Sequence, residues 1–270
     1  MALPALLFQD ISAVDIRESW NGGFVLFCFI ATFLSITGVT VLSFFVVKRE
    51  ERGEFVQGAY RSSAAILGIA FIQNIYGTSG MAPLMIIGTV PLYNAFAVIV
   101  LSLLKPGQRK MDKALLQKTL KGIVTNPIIL GIAAGFGWAI LKIPQPEILQ
   151  KTVKNMAVLA TPLGLMAMGA SFEGKKALGK LKPTLIASAL KLVVLAAIFL
   201  PIAVWLGYRE SELVAILVML GSATTVSSFV MARNMGHEGV LTSSIVMVTT
   251  LCSAFTLTGW LFLLKTLGLV

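Results

Sequence analysis

The sequence predicts an all-α polytopic membrane protein, and three observations carry that prediction. Of 270 residues, 57% are hydrophobic and only 13% charged, whereas about a quarter of a soluble globular domain is charged. Apolar runs near the ~20 residues needed to cross the hydrocarbon recur along the whole chain, leaving no stretch for a soluble domain. The third observation is polar backbone at membrane depth. The run 213–232 contains Gly221-Ser222-Ala223-Thr224-Thr225-Val226-Ser227-Ser228, a glycine and five hydroxyl side chains. Weakly helical, polar segments are tolerated inside a bilayer where protein or a water-filled cavity surrounds them. A similar stretch, Arg61-Ser62-Ser63-Ala64-Ala65, interrupts the run 55–76, and laying Gly77 on Gly236 puts Ser63-Ala64 on Ser222-Ala223. Two such interruptions in corresponding places are expected to meet near the midplane and hold a ligand. The competing reading is that the hydroxyls only let helices pack closely.

Residues 1–13 read as the end of a span. Their apolar stretch of about eight residues rises only about 12 Å as helix, too short to cross, and Asp10, Asp15, Arg17 and Glu18 follow. With no basic n-region, this start does not read as a cleaved signal peptide. A full span at 23–47 ends in the charged segment 48–54, and the interrupted run 55–76 stops at Gly77-Thr78-Ser79-Gly80, a glycine-terminated helix end. The span 81–104 carries Pro83, Pro91 and Asn94. In the basic segment 105–121, Met111, Leu115, Leu116 and Leu120 recur at helical spacing, which would lay the segment along the membrane surface. Thr125-Asn126-Pro127 reads as a helix start with Asn126 as cap rather than ligand. It opens a span at 128–143 that stops at Pro144-Gln145-Pro146.

The next span, 153–172, contains Ala160-Thr161-Pro162-Leu163-Gly164-Leu165, which matches Ala2-Leu3-Pro4-Ala5-Leu6-Leu7 at an offset of 158. At nearly the same offset, 23–47 pairs with 181–205 and 55–76 with 213–232. A last span covers 240–264. The second half of the chain repeats the first.

A formal charge of +10 would suggest nucleic acid in a soluble protein. Here topology explains it, and no nucleic-acid partner is expected. Lys and Arg cluster in alternate connections: three in 48–54, six in 105–122, four in 173–182 and one at Arg233. The opposite connections hold only Arg17, Lys142, Lys151, Lys154, Arg209 and Lys265. The positive-inside rule puts the richer set in the cytoplasm, so the two interrupted runs enter from opposite sides, as in an inverted repeat.

Arg61 and Lys191 remain, inside spans, while all twelve acids fall at or beyond span ends. An unpaired cation there costs about 2.5–3.5 kcal/mol on insertion scales and is a functional candidate by default. For Arg61, anion binding stands beside snorkelling, since six residues of helix place it only about 9 Å from the cytoplasmic end. Lys191 is expected to reach a cavity or a helix carbonyl. Buried acids, which cation exchangers commonly use, are absent from the spans, so the fixed charge favours an anion. Cys28 and Cys252 both lie in apolar runs and read as buried free thiols. His237 is the only histidine and lacks the company a metal site needs. With no acid or histidine beside a buried serine and no P-loop, neither an enzyme nor direct ATP drive is expected, nor any cofactor.

Six motifs in order resemble the auxin efflux carrier family, most closely its bacterial malonate-transporter branch: Leu3-Pro4-Ala5-Leu6-Leu7-Phe8; Gly58-Ala59-Tyr60-Arg61 with Leu67-Gly68 and Tyr76-Gly77; Val90-Pro91-Leu92-Tyr93-Asn94; Asn126-Pro127-Ile128-Ile129; Thr161-Pro162-Leu163-Gly164-Leu165 with Gly169-Ala170-Ser171-Phe172; and the 221–228 stretch. The resemblance implies two inverted five-helix repeats with crossed broken helices. It implies a scaffold domain at 1–13 and 126–172, a transport domain at 23–104 and 181–264, and a basic cytoplasmic linker at 105–125. By the repeat the chain lacks a counterpart of residues 126–158, so the expectation is an N-terminally incomplete form with eight full spans plus an N-terminal half-span.

Family ligands at the crossing fall on Arg61, Ser62, Ser63, Ser222, Thr224 and Thr225, with Asn94 from the neighbouring span. The resemblance further implies an elevator movement carrying a small organic anion such as malonate across the membrane, and a homodimer through the scaffold. The expected location is the bacterial inner membrane. The crossing prolines common in the family are absent, with Ala223 in the ninth-span place, and Ser63 stands where many members have asparagine. The alternative function is a truncated, non-transporting membrane relative acting as a sensor or partner subunit.

Overall fold

The computed structural model describes residues 2–12, 21–77, 80–106, 125, 127–141 and 144–270. Within them the chain is all-α, with no strand beyond one isolated bridge. The helices are α1 (Ala2–Ser12), α2 (Gly22–Val46), α3 (Arg52–Tyr60), α4 (Ala64–Tyr76), α5 (Ala82–Leu103), α6 (Pro127–Leu141), α7 (Glu147–Val158), α8 (Ala160–Ala170), α9 (Gly174–Gly179), α10 (Leu181–Trp205), α11 (Glu210–Gly221), α12 (Ser227–Asn234) and α13 (Val240–Thr266). Among the described residues, five stretches are long and apolar enough to cross a membrane: α2, α5, Glu147–Ala170, α10 and α13. The Asn126 cap, the amphipathic helix at 111–120 and the charges Asp15, Arg17 and Glu18 lie outside the described residues.

Burial follows from composition. The segment of α11 from Leu213 to Gly221 has no polar face and is buried throughout; every residue of α3 from Gly53 to Tyr60 is buried too, including the polar Glu54 and Gln57. Around them α2, α4, α5, α10 and α13 form one apolar core. The outer faces present Phe45, Trp205, Phe255 and Phe262, the apolar surface a lipid environment accepts. Cys252 lies on this outer face, so the expectation of two buried thiols holds for Cys28 and is corrected for Cys252. In a single helix packed by one side, the apolar run does not say which face turns inward. Serine and threonine hydroxyls in α2 and α13 mostly bond back to the carbonyl one turn earlier, for example Ser35 to Ala31 and Thr249 to Ile245. That bonding lets polar side chains sit in apolar helices.

Helix ends are held by specific groups. The Asn21 side chain accepts from Phe24 N–H at 3.0 Å and donates to Glu212 at 3.1 Å, tying the start of α2 to that of α11. Glu54 is buried, and its carboxylate accepts from the N–H of Gly239 (2.8 Å) and of Thr242 (2.9 Å) and from the Thr242 hydroxyl (3.0 Å). An acid therefore meets the positive end of α13. Nearby, Lys180 pairs with Glu238 at 2.6 Å and Glu51 at 3.7 Å. Burial acts to lower the Lys180 ammonium, but the hydrogen bond and charge of Glu238, with Glu54 and Glu51, raise it above its ordinary value. The same hydrogen bond holds the Glu238 carboxyl below its ordinary value.

Candidate functional site

Both polar interruptions are real breaks in helices. α3 stops at Tyr60 and α4 begins at Ala64; α11 stops at Gly221 and α12 begins at Ser227. The breaks touch each other. Ser62 and Thr224 pair as an antiparallel bridge, with Ser63 N–H donating to Ala223 O at 3.0 Å. Each break thus supplies hydrogen-bond partners that extended backbone at membrane depth needs. Neither break contains a proline, and neighbouring helices supply further hydrogen-bond partners. The Thr224 N–H donates to the Thr249 hydroxyl (3.1 Å), the Thr224 hydroxyl to Gly58 O (2.7 Å) and the Tyr93 hydroxyl to Met219 O (3.0 Å); Ser62 Oγ also donates to Met219 O.

Two helix C-termini and two helix N-termini converge here, and each kind draws its own charge. Arg61 follows directly on the C-terminus of α3, and Lys191 donates to Leu220 O (2.6 Å) and Met219 O (3.4 Å) at the C-terminus of α11. The helix-carbonyl role expected for Lys191 is the one found, with Ser62 Oγ as its third acceptor. Arg61 is 2% exposed, with one amino group on Asn94 Oδ1 and the other on Met231 Sδ. Its head does not snorkel. It lies on the wall of a cavity of about 620 Å³, and no carboxylate pairs with it among the described residues. A guanidinium offers five N–H donors and a thioether is a weak acceptor, so this cation is poorly served by the protein.

Ser62, Ser63, Asn94 and Thr225 share the cavity wall with Arg61. Asn94 is aimed by its own helix, its amide donating to Val90 O at 2.9 Å across Pro91. Ser222 and Thr224 are buried and do not line the cavity; Thr224 ties the break to α3, and Ser222 Oγ has no partner among the described residues. The facing wall comes from α1 and α8, through Leu6, Leu7, Thr161 and Gly164. Tyr93, which holds Met219 O and lines the cavity, was not singled out in the sequence beyond its place in a motif. His237 is buried in the connection after α12, with Nε2 at 2.8 Å from Leu101 O.

The two helix breaks thus meet beside a cavity that has the buried Arg61 on its wall. A family model described as membrane transport protein matches residues 1–261. The chain belongs to this family, the auxin efflux carriers. This carrier-family protein is also 26% identical, over 276 aligned residues, to the "Putative malonate transporter" of Rhizobium meliloti (strain 1021), with 98% of the present chain and 84% of that relative covered. It is a multi-pass membrane transport protein.

Proposed function

We propose that this transporter carries a small organic anion, a mono- or dicarboxylate such as malonate, bound at the crossing of the two broken helices. The observation that carries the reading is Arg61: a buried guanidinium on a cavity wall, bonded only to an amide oxygen and a thioether among the described residues. A carboxylate would complete its fork with two charge-assisted hydrogen bonds. In this reading Asn94, Ser63 and Thr225 orient the anion, while Ser62, whose hydroxyl is engaged by Met219 O and Lys191, belongs with Ser222 and Thr224 to the breaks that shape the site. The N-termini of α4 and α12, opening at Ala64 and Ser227 beside the cavity, add partial positive charge. The name of the Rhizobium relative favours malonate within this class.

The same proposal includes two inverted repeats and an elevator movement. The matching order of helix, break and helix, each closed by a glycine with positive φ (Gly77, 74°; Gly236, 83°), supports the repeat. The cavity lies between the expected scaffold segments, 1–13 and 126–172, and the expected transport segments, 23–104 and 181–264. That is where a moving carrier needs its solute. The segment 105–125 would link the halves, the scaffold would mediate a homodimer, and the site would operate in a bacterial inner membrane. The test is uptake of labelled malonate into proteoliposomes, with succinate, acetate and malonamide as competitors. Saturable uptake, competed by carboxylates and not by the uncharged amide, is expected. Absence of uptake and binding for every carboxylate tried would overturn the proposal.

A further inference from the structure

Lys191 is wholly buried in α10, where one turn of π-helix, Leu190–Val194, interrupts the α-helical bonding and Leu195 N–H bonds to Leu190 O. Such single-turn bulges concentrate at functional sites. All three of its ammonium N–H groups have an oxygen: Ser62 Oγ, Leu220 O and Met219 O. Two of these are main-chain carbonyls left over where α11 ends, since Ser222 N–H takes Val218 O and Thr224 N–H turns to Thr249. The third is a hydroxyl from the other broken helix. The oxygens carry the partial negative charge of a helix C-terminus, and no carboxylate pairs with Lys191 among the described residues. Neutral oxygens of carbonyl and hydroxyl type, converging from both breaks on one positive charge, are the ligand set that suits a hard monovalent cation.

We propose that this cluster is a monovalent-cation site at the helix crossing, filled by the tethered ammonium of Lys191 in place of a free alkali ion. The lysine holds α11 to the 61–63 break, so the crossing is complete without Na⁺ or K⁺. Removing the ammonium while leaving its space open converts the occupied site into one that takes an alkali ion from solution. This inference needs the crossing but not the identity of the transported anion, so it can fail or stand independently of the carrier reading.

The experiment is thermal unfolding of the purified chain in detergent, in NaCl, LiCl, KCl or choline chloride at constant ionic strength. The wild type is expected to unfold at one temperature in all four salts. Lys191→Ala is expected to unfold lower in choline chloride and to recover, saturably, by roughly 5 °C or more in at least one alkali chloride. Lys191→Met, whose stem fills the space, is expected to be destabilised equally in every salt. Lys191→Ser, which adds a hydroxyl oxygen, is read as the alanine variant is and decides the matter if the alanine protein does not fold. Equal stability of Lys191→Ala or Lys191→Ser in all four salts would overturn the proposal. So would an alkali-specific stabilisation of the wild type as large as that of the variants.

Discussion

Glu54 gives a prediction whose size can be worked from the structure. Its carboxylate accepts three hydrogen bonds at 2.8–3.0 Å, two of them from the main-chain N–H groups of Gly239 and Thr242 that open α13. Glu54→Gln keeps one acceptor oxygen but turns an NH₂ group toward a donor, losing one main-chain bond and the charge facing the helix end. A buried donor left unpaired costs about 1–3 kcal/mol, and a charge at a partly buried helix terminus contributes up to about 2 kcal/mol. The glutamine variant should therefore lose roughly 2–4 kcal/mol, or roughly 5–10 °C in apparent Tm for a chain of this size. Glu54→Ala, which orphans both N–H groups, should lose more. Differential scanning fluorimetry in detergent reads both, and hydrogen exchange should show Gly239 and Thr242 losing protection first. If both variants unfold within about 1 °C of wild type, the helix-end reading of Glu54 is wrong.

Further expectations follow from single contacts. A methyl group at Gly88 would meet Val25 O and Cys28 Cβ at 2.8 Å, whereas one at Gly58 meets first the flexible tip of Ile245 at 2.7 Å; Gly88→Ala should cost about 1–3 kcal/mol and Gly58→Ala less, measured by the same melts. Tyr93→Phe removes one of three donors to Met219 O and should cost only about 1 kcal/mol, with uptake reduced but retained. The Lys180–Glu238 pair has a pH window. The Glu238 carboxyl is depressed by its bond to Lys180, so that contribution is present above its ordinary 4.5 and lost as pH falls through the lowered value. The Lys180 ammonium is raised, so its contribution is present below 10.5 and lost as pH rises beyond it. Because Glu238 is more than half exposed, Glu238→Gln should flatten the acid limb of a Tm-against-pH curve by no more than about 1 kcal/mol.

The two breaks were legible because they require residues that stand out in an apolar run: Arg61-Ser62-Ser63 and the 221–228 stretch are poor helix and good hydrogen-bonding sequence, and their spacing from Gly77 and Gly236 marks them as counterparts. Lys191 was legible as a buried cation, and its lack of an acid partner pointed to a carbonyl. Which carbonyls it meets depends on how α10 lies against α11, which local sequence does not encode. Ser222 and Thr224 look in sequence like their neighbour Thr225, yet only Thr225 is on the cavity wall. Extended backbone alternates the direction of successive side chains, and the register of the Ser62–Thr224 bridge decides which way each turns. Glu54 gave no signal as a helix cap because its partners are main-chain groups 185 and 188 residues away. Cys252 was misjudged for the simpler reason that lipid and protein interior are equally apolar neighbours.

The central claim is that the Arg61 guanidinium is the counter-charge for a transported carboxylate. The direct measurement is binding and uptake of labelled malonate by reconstituted wild type, Arg61→Ala and Arg61→Lys, each first shown to keep its fold by thermal unfolding. Loss of two charge-assisted hydrogen bonds predicts an affinity at least about 100-fold weaker for Arg61→Ala, with part of it restored by the lysine. Folded Arg61→Ala protein that binds and transports carboxylates as wild type does would contradict the claim and move recognition to the hydroxyl groups of the crossing.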